Sequence, residues 1–184
     1  MEFFFSENID NNIITLDSME FRHCIKVMRN NVGDFINVVD GKGNLYKGEI
    51  ISIDKNDCKV KITNIINKYG DKDYYIHIGI ACIKNHDRLE WFVEKSVEIG
   101  IDEISFLHCA RNIKKSIKNN RISNVAITAM KQSGKAKLPI INDLVYFKDF
   151  IKNCKSHNKF ICHLYKKDKK NIFFYKENVK KNKN

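Results

Sequence analysis

The feature that most constrains the fold is a helix pattern that runs directly into a strand pattern. It occupies Asp87 to Leu107, DRLEWFVEKSVEIGIDEISFL. Apolar residues at helical spacing predict a helix from Asp87 to Ile99, and Gly100 is typical of the residue that ends a helix in left-handed backbone. The apolar run EISFLH then predicts a short strand. The expected buried side of the helix comprises Leu89, Phe92, Val93, Ser96 and Ile99 or Gly100.

The same alternation of strand and helix fills the second half of the chain. YYIHIGIACI (74–83) is almost continuously apolar, which predicts a strand covered on both faces. A further helix is expected from Asn119 to Ser133, stopped by Gly134, with LPIIND breaking it off. FKDFIKN then predicts a short helix, and KFICHLY (159–165) another buried strand. This order favours a parallel α/β sheet.

The first third of the chain is rich in strand patterns and contains one helix pattern. The predicted strands are EFFF, DFINVV, NLYKGEIISI and CKVKITNII. The turn DGKGN supplies the glycines that a hairpin needs, and no helix follows it, so a phosphate loop is disfavoured. Several short strands at this spacing indicate a small barrel or compact sheet. The polar segment NKYGDKD (67–73) separates a β-barrel-like domain, 1–72, from an α/β domain, 73–184.

The helix pattern in the first third is DSMEFRHCIKVMR (17–29). Asp17 and Glu20 have the spacing of a capping box, in which each side chain bonds to the other's backbone. An apolar face and a basic stripe follow at helical spacing. The apolar face comprises Phe21, Cys24, Ile25 and Met28, and the stripe comprises Arg22, Lys26 and Arg29, with His23 nearby.

Charge and cysteine content narrow the class of protein. The net charge is +11, but 11 lysines and two acidic residues after position 151 account for +9 of it. The first 151 residues therefore carry little excess charge, and a solvated lysine-rich tail is as consistent with the composition as an anionic partner.

The six cysteines form no CxxC pair, which indicates free thiols in a reducing compartment. No apolar run is long enough to span a bilayer, and MEFFFSENID is too acidic for a secretory signal, so we expect a cytoplasmic protein.

Residue types that bind metals cluster near residues 154–163, but their spacing disfavours a metal site. Cys154, His157, Cys162 and His163 are residue types that bind zinc. However, Cys162 and His163 are adjacent in a predicted strand and would point to opposite faces. We therefore predict no metal.

Three blocks, taken together, resemble one family. They are HCIKVMRNNVGDFINVVDGKGNLYKGEI, KNHDRLEWFVEKSVEIGIDEI and AMKQSGKAKLP. In order, spacing and content they are similar to the bacterial 16S ribosomal RNA uracil-N3 methyltransferases, which are trefoil-knot (SPOUT) enzymes. The resemblance runs from about Phe4 to the end.

The resemblance implies a fold, a reaction and partners. The fold would be a PUA-like barrel followed by a SPOUT-type α/β domain that forms a homodimer. The reaction would transfer a methyl group from S-adenosylmethionine to N3 of a uridine in 16S rRNA of the small ribosomal subunit. The family carries a His-x3-Val-x-Arg segment that matches His23, Val27 and Arg29, which favours RNA contact by the basic stripe over a merely solvated surface.

The chemistry needs an anionic N3, because a neutral imide nitrogen is a poor nucleophile. A cation near the developing charge would stabilise it. Arg88 and Arg111 follow predicted strands and are the hypothetical catalytic residues, and Lys84, after a strand expected to be central, is a candidate RNA contact. Ala110 stands where the family often has an acidic residue.

Other residues match family positions that suggest structural or dimer-forming roles. Lys135 replaces a usual arginine, which keeps the charge but loses the bidentate fork. The charged residues of the predicted helix are also consistent with ordinary surface charge. The matching residues are Glu90, Lys95, Glu98, Gly100, Gln132, Ser133 and Gly134.

The cofactor loop of the family has no counterpart in these residues. The family uses a glycine-rich GPEGG-like loop within its knot, and no such loop follows any predicted strand here. We therefore expect an α/β domain that is incomplete at its C-terminus and assign no cofactor-binding residue. Besides the methyltransferase, the alternative is a non-catalytic RNA- or ribosome-binding remnant. A nucleotide-binding α/β protein is disfavoured by the lack of a phosphate loop, and a hydrolase by the lack of a G-x-S-x-G elbow.

Overall fold

Two sheets with different strand arrangements make up the structure. In the computed structural model, residues 2–110, 117–156 and 158–162 are described. The first sheet has six strands in the order β1-β4-β5-β6-β3-β2, and the second has three in the order β7-β8-β9. The first six strands are β1 (Phe3–Phe5), β2 (Ile9–Asp10), β3 (Ile13–Asp17), β4 (Phe35–Val39), β5 (Leu45–Ile53) and β6 (Asp57–Ile66). The remaining elements are β7 (His77–Ala81), α2 (His86–Ile99), β8 (Glu103–His108), α3 (Asn119–Gln132), β9 (Ile140–Tyr146) and α4 (Phe147–Asn153), while α1 (Ser18–Phe21) and a π-helix (Arg22–Val27) lie between β3 and β4.

The first sheet is curled around its own core. Along β6, Cys58, Val60 and Ile62 are buried and the residues between them are exposed, which is the alternation of a strand with one face on a core. The four strands predicted here are confirmed within a residue or two at their ends. The β2–β3 hairpin was not predicted.

The predicted turn between β4 and β5 is confirmed as a hairpin. Gly41 and Gly43 have φ values of 73° and 104°, a conformation that glycine adopts without steric cost. The buried Asp40 carboxylate fixes the turn by accepting bonds from the backbone of Lys42 at 2.8 Å and of Asn44 at 3.0 Å. Tyr46 Oη also donates to Asp40 at 3.2 Å, and burial together with this carboxylate raises the pKa of Tyr46.

The predicted capping box is wrong. Asp17 is at the N-cap of α1 but makes no capping side-chain bond, and Ser18 starts the helix with φ of 48°. The Glu20 carboxylate bonds to the backbone N–H of Phe5 at 3.0 Å and to Lys131 Nζ of α3. Contacts with other elements therefore recruit the side chain that local spacing had assigned to the cap.

The helix predicted over 17–29 is also shorter and of mixed type. After one turn of α1 it widens into a π-helix, and Met28 N–H bonds to His23 O at 2.9 Å. The wider turn shifts the faces, so Phe21 and Cys24 are buried but Met28 is 43% exposed. Arg29 lies beyond the helix with φ of 59°, so the three basic residues do not form one helical stripe.

The second sheet is parallel throughout, as predicted. Its register pairs His77 with Glu103 and Glu103 with Ile140. Two details of the prediction are wrong. β7, predicted to be central and covered on both faces, lies at an edge of the described sheet and is only partly buried. The segment LPIIND, predicted only to break off the preceding helix, leads into a third strand, β9.

Two helices cover one face of this sheet. Leu89, Val93, Ser96 and Val97 are buried along α2. Ile99, expected on the buried side, is 71% exposed, because at helical spacing it lies off the face that buries Val93 and Val97. Gly100, with φ of 95°, then ends the helix as predicted. Helix α3 ends as predicted, before Gly134.

The strand predicted from KFICHLY is not observed where it is described. Residues 159–162 form no strand and are exposed, so side-chain burial does not support the prediction there. Residues 163–165 of that segment lie outside the described residues.

One apolar cluster joins the two sheets. Phe3, Val39 and Leu45 of the first sheet pack in the same cluster as Val97 and Met130 of the α/β part. A second cluster, including Phe4, Leu16 and Val60, fills the first sheet alone. The boundary at residues 67–73 stays a prediction. No helix within the described ranges is long and apolar enough to cross a membrane.

Candidate functional site

The π-helix exposes two of the predicted RNA-binding cations. Arg22 and Lys26 are exposed, one π-helical turn apart. His23, between them in sequence, is half-buried: its Nε2 lies 3.3 Å from Glu2 Oε1, and its ring packs against Phe4 at 5.6 Å between centroids. π-Helical turns are rare and often mark functional segments, so this conformation is consistent with a binding role.

Asn30 fixes the chain just after the π-helix, and sequence reasoning missed it. Its side-chain amide donates to Cys24 O at 3.2 Å, and its backbone N–H bonds to the same oxygen at 3.2 Å. Arg29 is thereby presented from left-handed backbone with its side chain exposed. No spacing rule predicts a bond across such a widened turn.

A second set of predicted residues lies at the carboxyl edge of the parallel sheet. Lys84 and Arg88 are exposed on the loop after β7 and in the first turn of α2. Asn85 caps that helix, since its side-chain oxygen accepts from Arg88 N at 3.2 Å. Arg111, the other catalytic candidate, lies outside the described residues, whereas Ala110 before it is exposed.

An aromatic pair at the same edge was not predicted. His108, at the end of β8, stacks on Tyr146, at the end of β9, with centroids 5.0 Å apart and planes 18° apart. Because the carboxyl ends of parallel strands lie at one edge of the sheet, the pair lies at the same edge as Lys84. Each of the two residues ends its strand. The pair could not be predicted because strand β9 was not predicted.

The charged residues of α2 form one ion pair with α3 and two within the helix. Glu90 accepts from Arg121 Nη2 of α3 at 3.0 Å. Lys95 bonds to Glu94 at 2.8 Å and to Glu98 at 2.9 Å. The bond to Lys95 lowers the pKa of Glu94, and the bond to Glu94 raises the pKa of Lys95. The role predicted for these residues, structural or dimer-forming, stays a prediction.

The segment Gln132–Gly134 ends α3 next to the first sheet. Ser133 Oγ donates to Ala129 O at 2.7 Å, and Gly134 has φ of 66°. Gln132 is exposed and lines a groove of about 520 Å³ with His23. The fold therefore brings together two residues that the sequence had placed in separate groups.

A polar cluster on the face of the parallel sheet that is not covered by α2 and α3 was also not predicted. His77 Nε2 lies 2.8 Å from Ser105 Oγ, and Asn142 Nδ2 donates to Ser105 at 2.9 Å and to Glu103 at 2.6 Å. Tyr75 Oη donates to Glu103 at 2.6 Å. Burial lowers the pKa of His77, and the charge of Glu103 opposes this shift. Burial raises the pKa of Tyr75, and Glu103 adds to that increase. The cluster lines a cavity of about 510 Å³ at the amino ends of the strands.

A metal centre is not formed by the described residues: no three His, Cys, Asp or Glu side chains among them are placed to hold an ion. Cys154 is half-buried and Cys162 is exposed. His157 and His163 lie outside the described residues.

Two family models match the chain. An RNA methyltransferase domain matches residues 71–184, and an RNA methyltransferase PUA domain matches residues 16–63. The fold is accordingly a PUA-like sheet followed by a SPOUT-type α/β part.

Individual relatives agree with these models. Ribosomal RNA small subunit methyltransferase E 2 of Borreliella burgdorferi is 32% identical over 138 residues, which are 72% of this chain and 56% of the relative. Ribosomal RNA small subunit methyltransferase E of Bacillus subtilis is 25% identical over 76% of this chain and 57% of the relative. The chain thus spans a little over half the length of these curated relatives.

Solved structures extend the likeness to the fold. A probable rRNA-methyltransferase from Porphyromonas gingivalis matches with a TM-score of 0.76 and 32% identity, covering 82% of this chain and 63% of that one. A ribosomal RNA small subunit methyltransferase E from Neisseria gonorrhoeae, bound to S-adenosyl methionine, matches with a TM-score of 0.74 and 23% identity, covering 85% and 66%. With a family model over most of its length and a relative above 30% identity, the chain belongs to the ribosomal RNA small subunit methyltransferase E family of RNA methyltransferases.

Proposed function

We propose that this chain acts in S-adenosylmethionine-dependent methylation of N3 of a uridine in 16S rRNA of the small ribosomal subunit, in the cytoplasm. The observation that carries the proposal is the position of its exposed cations. Arg22 and Lys26 lie in the part that matches the PUA model, and Lys84 and Arg88 in the part that matches the methyltransferase model. RNA held by both parts would run from the π-helix, beside the last turn of α3, to the carboxyl edge of the parallel sheet.

Phosphate contacts position RNA without reading its sequence. Arg22 and Lys26 are exposed and form no ion pair with any described residue, so their charges are available to phosphates. Lys84 and Arg88 are also exposed and unpaired within the described ranges. Two separated pairs of cations would fix the course of a strand across the surface.

Arg88 is the proposed stabiliser of the uracil anion, with Arg111 as the second candidate. A guanidinium stays charged at all physiological pH values and donates several hydrogen bonds. It would favour loss of the N3 proton by stabilising the negative charge that develops on the ring. The Asn85 cap holds the backbone of Arg88 at the start of α2, which limits the positions that its side chain reaches.

S-adenosylmethionine, when bound, supplies the methyl group. The described residues of the carboxyl edge, 82–86 and 108–110, contain no glycine, so they do not by themselves form the glycine-lined loop expected for this cofactor. We assign no described residue to holding it.

A homodimer is part of the proposal. Helix α2 exposes Trp91 by 61% and Ile99 by 71%, which supplies apolar surface next to Lys95 and Glu98 for contact with a second copy. Sedimentation of the wild-type chain and a Trp91→Glu variant tests it: the variant should sediment as a smaller species. An unchanged sedimentation coefficient would contradict this interface.

The RNA part of the proposal is tested by the salt dependence of binding. Replacing Arg22 and Lys26 together by alanine should weaken binding to single-stranded RNA and reduce the slope of log affinity against log salt by roughly 1.4, since each phosphate contact on a single strand contributes about 0.7. The matched control replaces Lys59 and Lys61, two exposed lysines of β6, and should leave the slope unchanged. Equal effects of the two double variants would contradict a specific RNA-binding role for the π-helix.

The enzymatic part is separated from the non-catalytic alternative by two measurements. Calorimetric titration with S-adenosylmethionine, and detection of 3-methyluridine in 16S rRNA after incubation with small subunits, should both be positive for an enzyme. RNA binding with neither cofactor binding nor methylation would favour the alternative, an RNA- or ribosome-binding protein. The absence of a glycine-lined loop among the described residues of the carboxyl edge is the observation that favours that alternative.

A further inference from the structure

A groove lies where the π-helix and the last turn of α3 face each other. Its volume is about 520 Å³, within the range of sites that hold small ligands. Its walls come from three separated parts of the chain and carry carboxylate, imidazole, hydroxyl, ammonium and amide groups. The lining residues are Glu2, Phe3, His23, Thr128, Lys131 and Gln132.

Contacts with neighbouring residues already engage most of these polar groups. Glu2 pairs with His23 at 3.3 Å, Lys131 pairs with Glu20, and the Thr128 hydroxyl donates to Asn124 O at 2.9 Å. The Gln132 side chain is different: it is exposed and makes no hydrogen bond with any described residue. The groove therefore presents one free amide, with both a donor and an acceptor.

A free amide beside an imidazole ring suits a nucleobase. Glutamine pairs bidentately with base edges that present a donor and an acceptor. Proteins read single-stranded RNA through the edges of unstacked bases and by packing those bases against rings, including histidine. The exposed cations Arg22 and Lys26 belong to the same π-helix as His23, so phosphates on either side of a base in the groove would have partners.

We infer that this groove binds one unpaired nucleotide of an RNA, with Gln132 hydrogen-bonding to the edge of its base and the His23 ring packing beside it. The inference rests on the proposed function and deepens it, because it assigns base recognition to a residue that the sequence had suggested for structure or dimer contact. Arg22 and Lys26 would set the affinity for any sequence, and Gln132 the preference among bases.

The test measures base preference separately from affinity. Short fluorescently labelled oligoadenylate, oligocytidylate and oligouridylate are titrated with the full chain, and anisotropy gives the three affinities. The wild-type chain should prefer one of them by roughly five- to 150-fold, the discrimination that a bidentate pair provides. Gln132→Leu should remove that preference and leave the affinity for the weaker oligomers unchanged. The matched control is Asn64→Leu, which removes another exposed amide, on β6, and should keep the preference.

Each other outcome has a defined meaning. RNA binding with no preference in the wild-type chain, or a preference that survives Gln132→Leu, would overturn the inference and leave the proposed function standing. No binding of any oligomer by the wild-type chain would overturn both. Because Gln132 is exposed, we expect the circular-dichroism spectrum and melting temperature of the variant to match those of the wild type, so loss of preference would not report unfolding.

Discussion

Lys131 Nζ, on α3, forms an ion pair with Glu20 Oε1, on α1, and so joins the two sheets of the molecule. Both side chains are 16% exposed, and the same carboxylate accepts from the backbone of Phe5 at 3.0 Å. The pair lies directly beside the groove that contains His23 and Gln132. It therefore fixes the spacing of the two walls.

Replacing Lys131 by methionine should destabilise the fold. The variant leaves a mostly buried carboxylate without its cation, which we expect to lower the free energy of unfolding by about 1–3 kcal/mol. Urea denaturation measures the change. The control is Lys95→Met, which removes a surface ion pair and should have little effect. Equal effects of the two variants would show that the Glu20 pair contributes no more than a surface one.

Replacing Arg29 by glycine should separate stability from binding. Left-handed backbone costs a side-chain-bearing residue about 1–2 kcal/mol, so glycine at φ of 59° should raise stability by about 0.5–1 kcal/mol after its larger unfolded-state entropy is included. RNA affinity should fall because a cation is lost. Lys26→Gly removes a cation from within the π-helix and should lower both the free energy of unfolding and the RNA affinity. A destabilised Arg29→Gly variant would contradict the strain argument.

Replacing Asp102 by asparagine should cost about 2–3 kcal/mol of unfolding free energy. Its carboxylate is 3% exposed, accepts from Ile76 N at 2.8 Å, pairs with Lys72, and lies 3.6 Å from Lys137 Nζ. The amide keeps the shape but removes the charge that these two lysines face. Asp54→Asn, at an exposed turn, is the control for thermal and urea denaturation. A loss no larger than that of the control would indicate that the site tolerates a neutral group.

Stability should depend on pH through His77. Burial holds its pKa below 6.5, so the unfolded state binds a proton more readily than the folded state. The contribution is fully present above about pH 6.5 and is lost as the pH falls from there toward the lowered pKa, by at most about 1.4 kcal/mol per pH unit. The variant His77→Gln keeps a polar partner for Ser105 but does not titrate. Urea curves at pH 7.5 and 5.5 should show a larger decrease for wild type than for the variant, and parallel decreases would contradict the assignment.

The sequence predicted the regular parts of this fold because local patterns and burial agree there. Helix α2 shows this most clearly: its apolar spacing, its glycine stop and its buried Leu89 and Val93 all coincide. The hairpin at Asp40 was equally predictable, since two glycines and an aspartate specify the turn. The parallel arrangement followed from strands that alternate with helices.

The errors occurred where distant contacts override local preference. Glu20 has the spacing of a capping residue but bonds to Phe5 and Lys131. The widened turn at Cys24, held by Asn30, moved Met28 to the surface. Strand β9 was missed because Asn142 and Asp143 interrupt its apolar pattern, and Asn142 faces the polar cluster that no sequence rule predicts.

The candidate site was predictable in its charges but not in its geometry. Arg22, Lys26, Lys84 and Arg88 are all exposed, as the proposed contact with RNA requires, and their roles stay predictions. The groove between His23 and Gln132 depends on how two sheets pack, and residues more than a hundred positions apart line it. Its Gln132 was assigned to a different role because sequence spacing carries no information about that packing.

The pairing of strand β1 has a consequence for the order in which the protein forms. Phe3 pairs with Asn37 in a parallel ladder, and its side chain packs in the cluster that contains Met130 of α3. Both partners lie far along the chain from Phe3, and Met130 is more than a hundred positions away. Contacts between such distant positions form late, because the intervening chain must first be closed into loops. Strand β1 is thus expected to be buried in two steps: Phe4 when the first sheet closes, and Phe3 only when α3 packs against that sheet.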